Sequence, residues 1–135
     1  MNYWLCKQEP SSYNFDSLES EKTTSWDDVH NYLAIKHINS MEKGDLAFFY
    51  HSGDEKQIVG IMEIISTAYP NPKEKIPKFV TIDVKYKKRL KRPVTLAEMK
   101  INKKFKDWEL LRISRLSVMP VTSQIWNEIL GISQK

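Results

Sequence analysis

Apolar and polar positions follow one another along this chain in short blocks, and the period of each block predicts an element. Tyr3-Trp-Leu-Cys6 reads as a short strand, closed by Pro10 and the polar turn Ser11-Ser12 because proline cannot continue a central ladder. Phe15 to Leu18 can make one helical turn. A second helix is expected from Asp27 or Asp28 to about Asn39, its acidic start matching the positive end of the helix dipole, with Val29, Tyr32, Leu33 and Ile35 on its apolar face. Leu46 to His51 is rich in strand formers and runs into the turn cluster Ser52-Gly53-Asp54. Ile58 to Ser66 is a near-continuous apolar run, and Gly60 inside it marks a bulge or a close backbone approach.

Beyond the breakers Pro70, Pro72 and Pro77, Val80, Ile82, Val84 and Tyr86 alternate with Thr81, Asp83, Lys85 and Lys87, a strand with one wet, basic face. Pro93-Val-Thr95 is expected to open a short helix through Lys100, and Asp107 to Leu111 to form another turn. Leu116 to Val121 reads as a last strand, and Thr122 or Ser123 caps a helix ending at Gly131. Five or six short strands with three or four short helices do not make the alternating pattern of a parallel sheet. The expectation is α+β, a small mixed or antiparallel barrel with helices packed outside.

Length and composition narrow the class. The 135 residues suit one domain over 1–135, with 41% hydrophobic and 28% charged residues and no apolar run near the roughly 20 that a membrane span needs. The chain starts without a basic region followed by an apolar one, so the cytoplasm is the expected compartment. Cys6 is the only cysteine, which excludes an internal disulfide and a Cys-rich zinc site. Net charge is +4 but unevenly placed: residues 1–72 carry 5 basic and 11 acidic side chains, whereas 73–106 carry 13 and 3. Lys85, Lys87, Lys88, Arg89, Lys91 and Arg92 fall within eight positions, the footprint a polyanion would use, or else a solvated strand end.

Motifs for catalysis and cofactors are missing: there is no G-x-S-x-G, Walker A loop, G-x-G-x-x-G or H-E-x-x-H. His30 and His37 lie about two helical turns apart with no third ligand nearby, so they read as solvent-facing or hydrogen-bonded rather than metal-bound. The pairs Asp27-Asp28 and Asp54-Glu55 read as capping and turn chemistry, since neighbouring residues on a helix point apart. Aromatic residues are the informative set. Trp126 and Trp108 sit among apolar neighbours and read as packing. Trp26 follows the polar stretch Ser20 to Ser25 and is expected in a loop at a helix start, where it either plugs the barrel end or meets a ligand. A ligand-facing Trp26 implies that its replacement by alanine leaves thermal stability nearly unchanged.

Taken in order, Tyr3-Trp4-Leu5, Lys7-x-Glu9-Pro10, Trp26-Asp27-x-Val29-x-Asn31-Tyr32, Met41-x-x-Gly44-Asp45, Phe48-Phe49-Tyr50-His51-Ser52, Val59-Gly60-Ile61, Tyr69-Pro70, Val118-x-Pro120-Val121 and Trp126-x-x-Ile129-Leu130 resemble the EVE domain across the whole chain. The resemblance implies a PUA-like β-barrel of five or six mostly antiparallel strands flanked by short helices, related to YTH and ASCH domains. It also implies a non-enzymatic reader of modified bases without a cofactor, with modified cytosine in DNA the leading ligand. Lys7, Gln8, Glu9, Trp26, Val29, Asn31, Tyr32, His51 and Ser52 are then the expected ligand-binding residues, with the basic run on the phosphates. Gln8 replaces the family's usual serine, Asp28 its glycine and His30 its arginine, which bears on base preference. One alternative is a PUA-like module for tRNA or other structured RNA. A nucleotide-modifying enzyme, using His51 and Asp54, and a protein-interaction module with the aromatics as a surface patch are the others.

Overall fold

The computed structural model describes residues 1–135. Strand β1 (Tyr3–Gln8) alternates Tyr3, Leu5 and Lys7 toward one side with Trp4, Cys6 and Gln8 toward the other. Helix α1 (Phe15–Glu21) is capped by Asn14, whose side chain accepts the Ser17 N–H, and it buries Phe15 and Leu18. Strand β2 (Thr23–Trp26) follows directly, then α2 (Tyr32–Ser40), β3 (Leu46–His51) and β4 (Gln57–Ile64). After the short β5 (Tyr69–Pro70) comes the long β6 (Val80–Thr95). Helix α3 (Leu96–Lys100), a 3-10 turn at Lys103–Phe105, α4 (Glu109–Arg112), β7 (Val118–Val121) and α5 (Ser123–Ser133) complete the chain.

The sheet runs β2-β6-β4-β3-β1-β7, with β5 paired to β6. Every pairing is antiparallel except β1 with β3. No ladder joins β7 to β2, so the expected closed barrel is replaced by an open seven-stranded sheet. Helix α2 packs against both β7, at one end of the sheet, and β6, next to the strand at the other end. On one side of the sheet Trp126 of α5 stacks on Phe48 (3.9 Å between ring centres) and Tyr3 (4.3 Å). On the other, Trp4 donates its indole N–H to the buried Asp45 carboxylate (3.0 Å) and lies against His37 of α2.

Gly60 meets both expectations. The β4–β6 register shifts beside it, and the Phe15 ring occupies the space where a Cβ would stand. Several boundaries differ from the sequence expectation. Strand β2 escapes a pattern search because Thr23, Thr24 and Ser25 lie on an edge strand with solvent on one flank, and the two-residue β5 is too short to show a period. Helix α2 starts at Tyr32 rather than at Asp27 or Asp28, because the Asn31 side chain accepts the Ala34 N–H at 3.0 Å and fixes the cap there. The helix is thereby rotated: Ala34, Ile35 and Ile38 are buried, while Tyr32, expected on the apolar face, is 68% exposed and Leu33 is exposed too. Pro93 lies inside β6, in an irregular stretch between the Arg89–Gly60 and Val94–Ile58 pairs, and α3 is opened instead by a Thr95–Glu98 capping box. Helix α5 continues past Gly131 to Ser133.

Candidate nucleic-acid interface

A polar concavity forms where β2 ends. Pairing Trp26 with Ile82 of β6 places the indole under the sheet edge, edge-on to Phe49 (5.3 Å, 89°), and leaves it only 4% exposed. Trp26 is thus a strand-end residue of the core, which corrects the expected loop placement. Above it opens a cleft of about 430 Å³, walled by Gln8 from β1, Tyr13 from the loop before α1, and Asp27 and Asp28. Lys73 and Glu74 close the far side from the β5–β6 loop. That loop is pinned by the buried Asn71, which donates to the Asp27 carbonyl (2.6 Å) and accepts the Lys73 N–H (2.9 Å).

Charge inside the cleft is mostly negative. Lys73 pairs with Asp27 at 2.7 Å, and that carboxylate raises the lysine pKa. Glu74 is engaged by His30, whose ring also stands edge-on to Phe79 (4.9 Å). Asp28 is left largely exposed. Burial, together with its hydrogen bond to Glu21 (2.6 Å), pushes the Tyr13 hydroxyl up to about 12, so it stays a neutral donor. Asp27 and Asp28 therefore wall a cleft rather than cap a helix, as their position before an apolar run had suggested.

The nine expected ligand residues do not converge. Gln8 and Trp26 share the cleft. Lys7, one residue away on β1, points to the opposite side, where it lines a second pocket of about 250 Å³ with Ser52. Val29 is buried in the core, Asn31 caps α2, and Tyr32 lies outside with Lys78 over its ring (4.7 Å). Glu9 is exposed; its carboxylate fills the space beside Gly53, and its carbonyl accepts the Ser12 and Tyr13 N–H groups. His51, 8% exposed, accepts the Phe15 backbone N–H on Nε2 (3.1 Å), which leaves the proton on Nδ1 facing Glu55 (2.8 Å). Both ring nitrogens are thus occupied. Asp54 sits in the exposed turn beside it.

The basic run lies along the middle of β6. Arg89 is held by Asp16 and Glu19 and lies over the Phe15 ring (5.0 Å). Arg92 forms a two-pronged pair with Glu98 (2.8 and 3.0 Å). Lys85 and Lys87 share Glu63 at 3.9 and 3.8 Å. Only Lys88 and Lys91 of the six are exposed with no carboxylate in reach. Sequence reading missed Tyr13, Asp27, Lys73 and Glu74 as cleft residues. Tyr13 was findable as a large ring in a turn between two elements, whereas Lys73 and Glu74 arrive by a long-range loop contact with no local pattern.

The EVE domain family model matches residues 2–132. Human "Thymocyte nuclear protein 1" is 32% identical over 99% of the chain and 75% of its own length. A solved structure of a protein from Rhodopseudomonas palustris superposes with a TM-score of 0.94 at 43% identity, covering 99% of this chain and 94% of that one. The human THYN1 protein, solved in complex with DNA containing 5-methylcytosine, superposes with a TM-score of 0.93 at 30% identity, covering 100% and 99%. The YTH domain of Zygosaccharomyces rouxii MRB1 shares the fold, with a TM-score of 0.60 at 11% identity over 98% and 86%. No helix is long and apolar enough to cross a membrane. The human relative is by name a nuclear protein, so the comparison lends the cytoplasmic expectation no support.

Proposed function

The chain belongs to the EVE domain family, and from that premise we propose that it binds nucleic acid without acting on it chemically, taking one modified cytosine of DNA into the Trp26 cleft. The observation that carries this reading is the cleft itself, with an indole at its base, a neutral tyrosine on one wall and a carboxylate at its edge. A human relative solved with 5-methylcytosine DNA, matching the full length, supports the choice of ligand.

A duplex hides its bases, so the target must be single-stranded or flipped out at a cost of a few kcal/mol. Trp26 and Tyr13 supply aromatic contact, worth roughly 1–3 kcal/mol per stacked base, though the buried Trp26 offers a strip rather than a full face. Asp27 accepts from an exocyclic amine, the donor that separates cytosine from thymine, and Gln8 both donates and accepts toward the same edge. The acidic walls exclude phosphates from the cleft, so the base enters while the backbone stays outside, and Lys88 and Lys91 are the unpaired cations of β6 left for phosphates. A methyl group in a close apolar site adds about 0.8 kcal/mol, a preference of a few-fold. His51 has no free lone pair to act as a base, which supports binding over catalysis.

The test is equilibrium binding of single-stranded oligonucleotides with cytosine, 5-methylcytosine or thymine at one position, DNA and RNA in parallel. Wild type should prefer 5-methylcytosine in DNA. Asp27→Asn should lose most of the discrimination between cytosine and thymine. Equal affinity for all bases, or tighter binding to unmodified structured RNA, would overturn the reading.

A further inference from the structure

The second pocket has a different chemistry from the cleft. Its polar lining consists of Lys7, Lys56 and Lys100 with Ser52 and Ser114, set against Tyr50 and leucines of α3 and α4, and no carboxylate lines it. None of the three lysines forms a salt bridge, although seven lysine or arginine contacts to carboxylates occur elsewhere in the protein. Glu9 is not among the lining residues, but its carboxylate lies beside Gly53, which is; it forms no salt bridge with any of the three lysines.

Lys7 is the informative member. It is half-buried, stands 5.8 Å from the centre of the Tyr50 ring, and donates one hydrogen bond, to the Ser114 carbonyl (3.1 Å). An ammonium has three N–H donors, so two are left to face the pocket. Burial lowers its pKa, the expected penalty for a cation drawn partly out of water with no counter-charge. Tyr50 adds no negative charge, because burial pushes its hydroxyl up to about 12. An unpaired, partly desolvated cation costs free energy unless an anion completes it, and two more lysines at the same mouth raise the local potential further.

We propose that the Lys7–Lys56–Lys100 pocket is a phosphate-binding site, separate from the Trp26 cleft and on the other side of β1. Ser52 and Ser114 supply hydroxyl donors, and the leucine wall excludes water and strengthens the ion contacts. The shared ligand chemistry is a phosphate group, carried either as a terminal monoester or as a backbone diester of a nucleic acid.

The test uses the full chain, 15N-labelled, titrated with inorganic phosphate against sodium chloride of equal ionic strength. The proposal predicts saturable shifts at the amides of Ser52, Gly53, Lys56 and Ser114 that chloride does not produce, and roughly tenfold weaker binding in Lys7→Met. Lys7→Met removes a partly buried charge and should fold at least as well as wild type; should it not, Lys100→Met, at an exposed position, tests the same prediction. Oligonucleotides with and without a 5′-phosphate then identify the source: tighter binding of the phosphorylated form at these amides indicates the monoester, equal binding the diester. Absence of a saturable response to inorganic phosphate, or an unchanged response in the lysine variants, would overturn the proposal. Because inorganic phosphate carries no base, this result is independent of base reading at Trp26.

Discussion

Two concavities lie on either side of one strand, and adjacent residues of β1 enter them: Gln8 the acidic cleft over Trp26, Lys7 the basic pocket over Tyr50. The period of two in an extended chain is enough to separate them. The difference in charge divides the work physically. A carboxylate-lined cleft discourages phosphate and suits a base edge carrying an amine, whereas a lysine pocket without acids suits an anion. The family resemblance groups Lys7 and Gln8 as neighbours in a motif, and the strand sends them into different pockets.

The largest effect expected from breaking this arrangement is at Trp26. Its burial against Phe49 makes Trp26→Ala a core deletion costing about 3–5 kcal/mol, read as a large fall in melting temperature. This reverses the expectation drawn from a loop tryptophan, and an unchanged melting temperature would contradict the packing. Gly60→Ala comes next. A Cβ there meets the Phe15 ring, and displacing Phe15 shifts the start of α1 and with it the Tyr13 wall. The expected cost is about 1–3 kcal/mol by denaturant unfolding, with base binding weakened and the lysine pocket spared.

Much of this was legible in the sequence where local pattern dictates structure. The run Leu46–His51 and the alternation from Val80 to Tyr86 announced β3 and the first half of β6, and Thr122 announced α5 through its cap. Polar Thr23–Ser25 hid β2, because an edge strand needs no apolar face to be paired on one side, and Trp26 was misplaced as a consequence. The Asn31 cap outcompeted Asp27 and Asp28, which moved the helix start and rotated Tyr32 into solvent. Lys73 and Glu74 could not be foreseen in the cleft, since the Asn71 bond to the Asp27 carbonyl spans 44 residues.

Smaller effects sharpen the contrast. Replacing Lys88 and Lys91 by glutamate should weaken binding to every single-stranded sequence alike and reduce the slope of log affinity against log salt by about 0.7 for each phosphate no longer neutralised. The arginines of the same run are already neutralised by Asp16, Glu19 and Glu98, so they are the less informative targets. Acid should also act on the side of the lysine pocket. Arg92, with the Thr95 cap, holds the Glu98 carboxyl down to about 2 from its usual 4.5. A carboxyl lowered on folding contributes stability that is fully present above the unfolded value and is lost as pH falls through the folded one. Lowering pH from about 4.5 toward 2 should therefore loosen α3, which carries Lys100, and Glu98→Gln should abolish that component of acid sensitivity.

The central claim, that the Trp26 cleft receives the base, is tested most directly by following the Trp26 indole N–H and the Tyr13 resonances while a single-stranded DNA carrying one 5-methylcytosine is added. The account predicts saturable shifts at both rings, a few-fold tighter than with unmodified cytosine. Shifts confined to the Lys7 pocket and β6, with Trp26 and Tyr13 unmoved and no preference for the methylated strand, would contradict it.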